Sequence, residues 1–218
     1  MYEFTAIFLL ALLFIIAYFI GMRQNRKIAV KYARTVKDYM SPKSEFVGFR
    51  PYSRGGFRAV CKMKEKEAFT QIEMAVSLVD RENLMHYPLT LITKDTDCLA
   101  CWGFLKNPLP FNMEILSKPN EKVRQKMVAE KNLKEITVNN ALNSSFVVLT
   151  SDQKSAEKFL SHAKLEKSLT ETKDSIKRLS LDSKDSRIYL IGNLRDDSSI
   201  KSLLDIILCC GEQSRKIH

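Results

Sequence analysis

The chain has 218 residues, of which 45% are hydrophobic and 28% charged, and its 35 Lys and Arg against 25 Asp and Glu give a formal net charge of +10. This length allows one sizeable core and does not require two large domains. The odd number of cysteines, five, argues against a disulfide framework and indicates reduced thiols. The positive charge favours association with anionic lipid or nucleic acid, although a surface that only keeps the protein soluble would have the same composition.

The first predicted element is a membrane anchor at residues 1–22. No residue from Phe4 to Ile20 is charged, and nearly all are Leu, Ile, Phe or Ala. A helix needs about 17–25 such residues to cross a hydrocarbon core. A cleaved signal peptide is the competing interpretation, but basic residues before the apolar run and a small-residue cleavage site are both missing. The anchor is expected to include Phe4, Leu9, Leu10, Leu13, Ile16 and Ile20.

Residues 23–42 are predicted to form a basic helix that continues from the anchor. Apolar residues recur at steps of three and four from Ile28 to Val36, and Pro42 ends the segment. The cations of this segment that follow the anchor are Arg23, Arg26, Lys27, Lys31, Arg34 and Lys37. Because cytoplasmic flanks of membrane helices are rich in Lys and Arg, the N-terminus is expected outside and the remaining chain in the cytoplasm. The alternative for this segment is an amphipathic helix that lies on the headgroups.

Residues 43–211 are predicted to form one α+β domain, a mainly antiparallel sheet with packed helices, followed by a basic tail at residues 212–218. Alternation of apolar and polar residues predicts most of the strands. They are Glu45–Phe49, Phe57–Met63, Thr70–Val79, Cys98–Leu105, Phe111–Leu116, Phe146–Thr150, Ile176–Leu181 and Arg187–Leu194.

Helices are predicted from caps and from apolar stripes between these strands. One or two turns are expected from Asp80 through Tyr87, and a lysine-rich helix over residues 119–131. A further helix is capped by Asp152, and residues 164–174 either extend it or form a loop. The last helix is capped near Asp196 and is expected to stop at Gly211.

The sequence contains none of the local motifs that position a phosphate, a catalytic metal or a nucleophile, so we expect no enzyme, no cofactor and no metal. The CxxC pair Cys98 and Cys101 and the adjacent Cys209 and Cys210 are interpreted as buried thiols instead of zinc ligands. His162 is interpreted as a packing histidine.

Acids at the start of a strand commonly cap it or face solvent, and Asp95 and Asp97 are interpreted in this way. Catalytic residues can nevertheless meet in space from distant parts of a chain. The rival hypothesis is therefore a membrane-bound enzyme that acts on a lipid or other membrane-proximal substrate, with a site around Trp102, His86 and Asp95. A third hypothesis is an adaptor that binds anionic lipid.

The stretch Phe19–Ala29 resembles the membrane exit of the calumin family, the coiled-coil-domain membrane proteins of the PAT complex. It shares an Ile-Gly step, an Asn four residues after the Gly, and then an apolar-Ala pair. The stretch from Lys158 to His162 and the passage through Arg178 and Leu179 are similar to the later cytosolic half of that family. The family's acidic lumenal region and long coiled coil have no counterpart among these 218 residues, which suggests a minimal, archaeal relative.

The resemblance implies a non-catalytic factor that assists the insertion or folding of multipass membrane proteins beside the ribosome-bound translocon. The implied partners are the ribosome with its rRNA, subunits of the protein-conducting channel or insertase, membrane lipid and nascent membrane proteins. The implied location is the cell membrane of an archaeon or the endoplasmic reticulum of a eukaryote. The residues expected to bind the ribosome or another anionic surface are Arg23, Arg26, Lys27, Lys31, Lys122, Arg124, Lys126 and Lys131.

Overall fold

The computed structural model describes residues 2–52, 55–84, 92–93, 95–117 and 121–217. Helices and strands alternate irregularly along the chain, and the predicted α+β class is confirmed. In chain order the elements are α1 (Tyr2–Met40), β1 (Ser44–Pro51), β2 (Phe57–Met63), β3 (Phe69–Ser77), β4 (Asp97–Leu105), β5 (Met113–Ser117), α2 (Glu121–Lys131), β6 (Lys134–Ile136), α3 (Asn140–Asn143), β7 (Phe146–Thr150), α4 (Gln153–Leu160), α5 (Ala163–Glu171), β8 (Ile176–Asp182), β9 (Arg187–Leu194) and α6 (Asp197–Ser214).

The described strands form one nine-stranded sheet in the order β1-β2-β3-β4-β9-β8-β5-β7-β6, and all neighbours are antiparallel. Burial alternates residue by residue along β4 and β9. One face of these two strands is therefore buried, on the side of the sheet where α6 contacts β4 and β9 and α1 contacts β1 and β2. We call this the covered face. The opposite, half-exposed side of β2, β3, β4, β9 and β8 is called the open face.

The helix α1 is continuous from the predicted anchor into the domain, as the sequence predicts. Among the described residues it is the one helix long and apolar enough to span a membrane, and only 6% of its apolar window is buried inside the protein. Its C-terminal half is different, because Tyr32, Val36 and Met40 are part of the core. This half packs on the sheet and on α6, so the alternative of a separate helix lying on the headgroups is wrong.

Several local predictions need correction. The strand β6 and the short helix α3 were not expected, since three and four residues carry too little periodicity to detect. Residues 163–171 form a separate helix, α5, with Leu165 and Leu169 buried. Residues 80–84 form turns and not a helix, and residues 85–87 of that prediction lie outside the described part. The caps predicted at Asp152 and Asp196 are confirmed.

The last helix does not stop at Gly211 but continues to Ser214, so the predicted tail begins inside it. A Cβ atom at Gly211 would lie 2.3 Å from Cε2 and 2.6 Å from Cζ of Phe69, which is 1% exposed. The glycine is therefore needed where α6 crosses a buried aromatic ring. Its lack of a side chain serves close packing and not helix termination.

Replacement of this glycine by alanine separates the two interpretations. Helix propensity alone predicts that Gly211→Ala stabilises by about 1 kcal/mol, whereas overpacking against Phe69 predicts a loss of about 1–3 kcal/mol. We expect the loss, measured by urea unfolding of the full chain in detergent. The control is Lys201→Ala at an exposed position of the same helix, which should change stability by less than about 0.5 kcal/mol. A more stable Gly211→Ala protein would contradict the packing explanation.

Candidate functional site

A group of buried polar residues fixes α1 to the sheet just beyond the predicted membrane span. Asn25, 1% exposed, donates from Nδ2 to the carbonyl oxygen of Val79 at 3.1 Å and accepts at Oδ1 from Nη1 of Arg81 at 3.0 Å. Arg81 also donates to both carboxylate oxygens of Asp97, at 2.9 and 3.1 Å. The backbone N–H of Val79 donates to Asp97 Oδ1 at 2.9 Å. One anchor-helix residue, one loop and the first residue of β4 thus share a single hydrogen-bond network.

The backbones approach closely at the same place. A Cβ atom on Gly21 would lie 2.2 Å from the carbonyl oxygen of Arg81, so no larger residue fits there without movement of the loop. We call Gly21, Asn25, Val79, Arg81 and Asp97 the joint. Asn25 was noted from the sequence only through the calumin resemblance, and Asp97 was expected to cap the strand or to face solvent. Asp97 does not face solvent, since it is 4% exposed and accepts from Val79 and Arg81.

The exposed side of α1 immediately after the joint is basic. A groove of about 640 Å³ runs along it. Its basic lining residues, which we call the basic face, are Arg23, Arg26, Lys27, Lys31 and Arg34. Nζ of Lys31 also pairs with Asp197 Oδ2 on α6 at 2.8 Å. The structure therefore brings together four of the eight residues expected to bind an anionic surface.

The other four expected residues belong to α2 and do not join this surface. The helix α2 lies over β5 and β7, on the same side of the sheet as the open face, where Met127 packs against Leu116 and Leu149. Arg124 donates to Glu135 at 2.8 Å and Lys131 donates to Glu114 at 2.6 Å. Lys131 thus has a structural partner within the fold. The side chains of Lys122 and Lys126 lie outside the described residues.

Glu114, 1% exposed, is the centre of a second buried polar network. Its Oε1 accepts from Lys131, from Nη2 of Arg178 at 2.9 Å and from the hydroxyl of Ser180 at 2.8 Å, and its Oε2 accepts from Nε of Arg178 at 2.9 Å. Burial by itself lowers the pKa of Arg178, but the hydrogen bonds and negative charge of Glu114 raise that pKa above its ordinary value. Glu114 was not predicted from the sequence as a site residue.

A second groove, of about 550 Å³, lies between the apolar part of α1 and the loop that follows β3. Phe14, Ile15, Tyr18 and Phe19 line one wall. Asp80, Glu82, Asn83 and Leu84 line the other. We call it the membrane groove, because its apolar wall lies within the predicted membrane span.

The remaining candidates from the sequence are dispersed. Trp102 lies in β4, Asp95 precedes that strand and is exposed, and His86 lies outside the described residues. His162 is half-buried at the N-terminus of α5. All five cysteines are free, and no group of three or more His, Cys, Asp or Glu converges within the described ranges. Cys98 and Cys101 lie on opposite faces of β4, since three residues separate them in a strand.

Comparison with known proteins adds little. No protein-family model matches the chain, and no curated protein does. Among solved structures, the crystal structure of the mycobacterial trehalose monomycolate transport factor A, TtfA, is similar at 8% sequence identity and a TM-score of 0.38. The match covers 84% of this chain and 94% of that one. A likeness this weak carries no argument about function.

Proposed function

We propose that this protein is a non-catalytic, membrane-anchored factor that assists membrane-protein insertion or folding at the ribosome and translocon, with its α+β domain in the cytoplasm. The observation that carries the proposal is the joint between an apolar helix and a basic domain. A rigid connection gives the basic face a defined height above the membrane. It also confines the domain to a thin layer, which raises its effective concentration toward other membrane-bound partners.

The length of the basic face favours a macromolecular polyanion over lipid headgroups. At about 1.5 Å per residue, Arg34 lies about 20 Å beyond Gly21 along a helix that leaves the membrane. The headgroup layer on each side of the hydrocarbon core is only about 5–8 Å thick. Lipid phosphates can therefore reach the first turn of the basic face, whereas its later cations suit a tall anionic surface such as rRNA.

The membrane groove supports contact with a second membrane protein. Its apolar wall suits a transmembrane helix, and the polar wall suits the flank where such a helix leaves the hydrocarbon. We assign it to a subunit of the protein-conducting channel or insertase, or to a nascent membrane helix. This assignment agrees with what the calumin resemblance implies.

Charge reversal on the basic face is the experiment that tests ribosome binding. We expect the triple variant Lys27→Glu, Lys31→Glu, Arg34→Glu, which reverses the later cations of the basic face, to co-sediment with ribosomes at least about tenfold more weakly at low salt, because each lost phosphate contact also removes counterion release. The matched control reverses three exposed lysines on α4 and α5, Lys154, Lys158 and Lys164, and should bind nearly as well as the unchanged protein.

Equal loss in both triple variants would indicate nonspecific charge attraction and would remove the basic face from the proposal. Flotation of the triple variant and the unchanged chain with anionic vesicles identifies the competing lipid adaptor. That adaptor is favoured if vesicle binding falls while ribosome binding does not. Labelling of engineered thiols on intact cells tests the topology, and a domain labelled from outside is incompatible with ribosome binding.

A further inference from the structure

We propose that the open face of the sheet binds single-stranded RNA, with bases stacked against Trp102 and Tyr189 and phosphates held by the surrounding arginines. This inference deepens the proposed function and rests on it, since it names the chemistry of the ribosomal partner. The site is distinct from the basic face, because α1 packs on the covered side of the sheet and these residues lie on the other side.

An aromatic pair lies at the middle of the open face. Trp102 of β4 and Tyr189 of β9 are register partners across the two strands. Their ring centroids are 5.4 Å apart with an interplanar angle of 29°, which is a stacked arrangement. Both side chains are half-buried, so part of each ring remains available. Aromatic rings at the surface of a sheet are the usual platform on which single-stranded nucleic acids stack their bases.

Arginines lie on both sides of this pair. A pocket of about 210 Å³ on one side is lined by Arg50, Arg58 and Arg187 together with Trp102 and Phe104. On the other side, the guanidinium of Arg178 lies 5.7 Å from the ring centroid of Tyr189. Because its Nε and Nη2 are already bonded to Glu114, Arg178 contributes positive charge and a planar face beside the ring, and the two-donor phosphate contacts come from the arginines of the pocket. Planar guanidinium groups bind phosphate with two donors and also stack on bases. The arrangement therefore supplies stacking and phosphate contacts within one surface.

Arg58, which lines this pocket, has a side-chain donor without a partner in the described part of the chain. Its guanidinium lies over the ring of Tyr52 at 4.5 Å, and its Nε is buried without a hydrogen-bond partner among the described residues. A buried donor without a partner costs stability unless a ligand satisfies it. The other charges at the pocket include Glu73, which accepts from Gln71 at 2.6 Å, and Arg187, which pairs with Asp185 at 3.0 Å.

The distance of the aromatic pair from the membrane favours RNA over lipid as the molecule that supplies the phosphates. Asp97 belongs to the joint, and β4 runs away from it at about 3.3 Å per residue. Trp102 is thus about 17 Å along the strand, and Phe104 is about 23 Å along it. Both distances exceed the headgroup layer of about 5–8 Å. An acidic peptide could neutralise the arginines, but it would leave the stacked aromatic pair without a role.

The only tryptophan of the chain is Trp102, so its fluorescence reports directly on this surface. We expect an unstructured oligouridine of about 12 nucleotides, added to the full chain in detergent, to quench that fluorescence saturably. Inorganic polyphosphate at the same phosphate concentration should not quench it. Tyr189→Ala should weaken oligouridine binding about tenfold by loss of stacking. Arg58→Lys, which keeps the positive charge but loses the planar guanidinium with its two parallel donors, should weaken oligouridine binding several-fold.

Two further variants keep the test clear if Tyr189→Ala does not fold. Tyr189→Phe retains a ring and should bind nearly normally, whereas Trp102→Leu, followed by anisotropy of a labelled oligouridine, should bind about tenfold more weakly. Absence of quenching, equal quenching by polyphosphate, or equal binding of oligoglutamate overturns the inference. The triple variant of the basic face should keep the quenching. A protein that still binds ribosomes without any quenching therefore rejects the RNA platform alone.

Discussion

Asp97→Ala is expected to lower the free energy of unfolding by about 3–5 kcal/mol, the usual result of removing one partner from a buried ion pair. Asp97 is 4% exposed and accepts three hydrogen bonds, two from Arg81 and one from the backbone of Val79. Its removal leaves a mostly buried guanidinium without a counter-ion and a backbone N–H without a partner. Asp97→Asn keeps the shape but not the charge, so we expect it to be destabilised by most of the same amount.

Urea unfolding of the full chain in detergent, followed through Trp102 on the same strand, measures this loss. Asp95→Ala is the matched control, because Asp95 is exposed and only two residues away. It should change stability by less than about 0.5 kcal/mol. If the Asp97 and Asp95 variants were equally stable, the joint would not hold α1 to the domain, and the defined height of the basic face above the membrane would lose its basis.

Part of this structure could be predicted from the sequence and part could not. The anchor, its continuation into a basic helix and most strands are encoded locally, in the run from Phe4 to Ile20 and in period-two alternation. The order of the strands in the sheet is not encoded locally, since β9 lies between β4 and β8 although more than eighty residues separate β9 from β4 in the chain. Pairings over such separations depend on the whole core.

Buried polar residues were the main omission. Asp97 occupies the first of the alternating buried positions of β4. Its place on the same side of the strand as the apolar residues of β4 is the one signal in the sequence that could have identified it as buried. Its partners Asn25 and Arg81 lie in other parts of the chain, so no local pattern joins them. The pairing of Lys131 with Glu114 was missed for the same reason, because a lysine on a basic helix gives no sign that a buried carboxylate lies beside it.

Glu114→Ala is expected to lower the free energy of unfolding by about 3–5 kcal/mol as well. The carboxylate of Glu114 is the common acceptor for Lys131, Arg178 and Ser180. Without it, two cations are left close together beside the sheet with no anion between them. Loss of the carboxylate costs more stability at Arg178 than at Lys131, because the guanidinium of Arg178 forms two of the hydrogen bonds and its side chain is only 30% exposed.

The double variant Glu114→Leu, Arg178→Leu distinguishes an unpaired charge from lost packing. Replacement of both partners of a buried ion pair by apolar residues is often nearly neutral, so we expect the double variant to recover most of the stability that Glu114→Ala loses. Glu135→Ala serves as the control, because Glu135 is exposed and pairs with Arg124 at the surface, where such pairs contribute about 0–1 kcal/mol. A double variant as unstable as Glu114→Ala would show that the carboxylate is needed for the arrangement of β5 and β8 itself, and the network could not then be described as simple charge compensation.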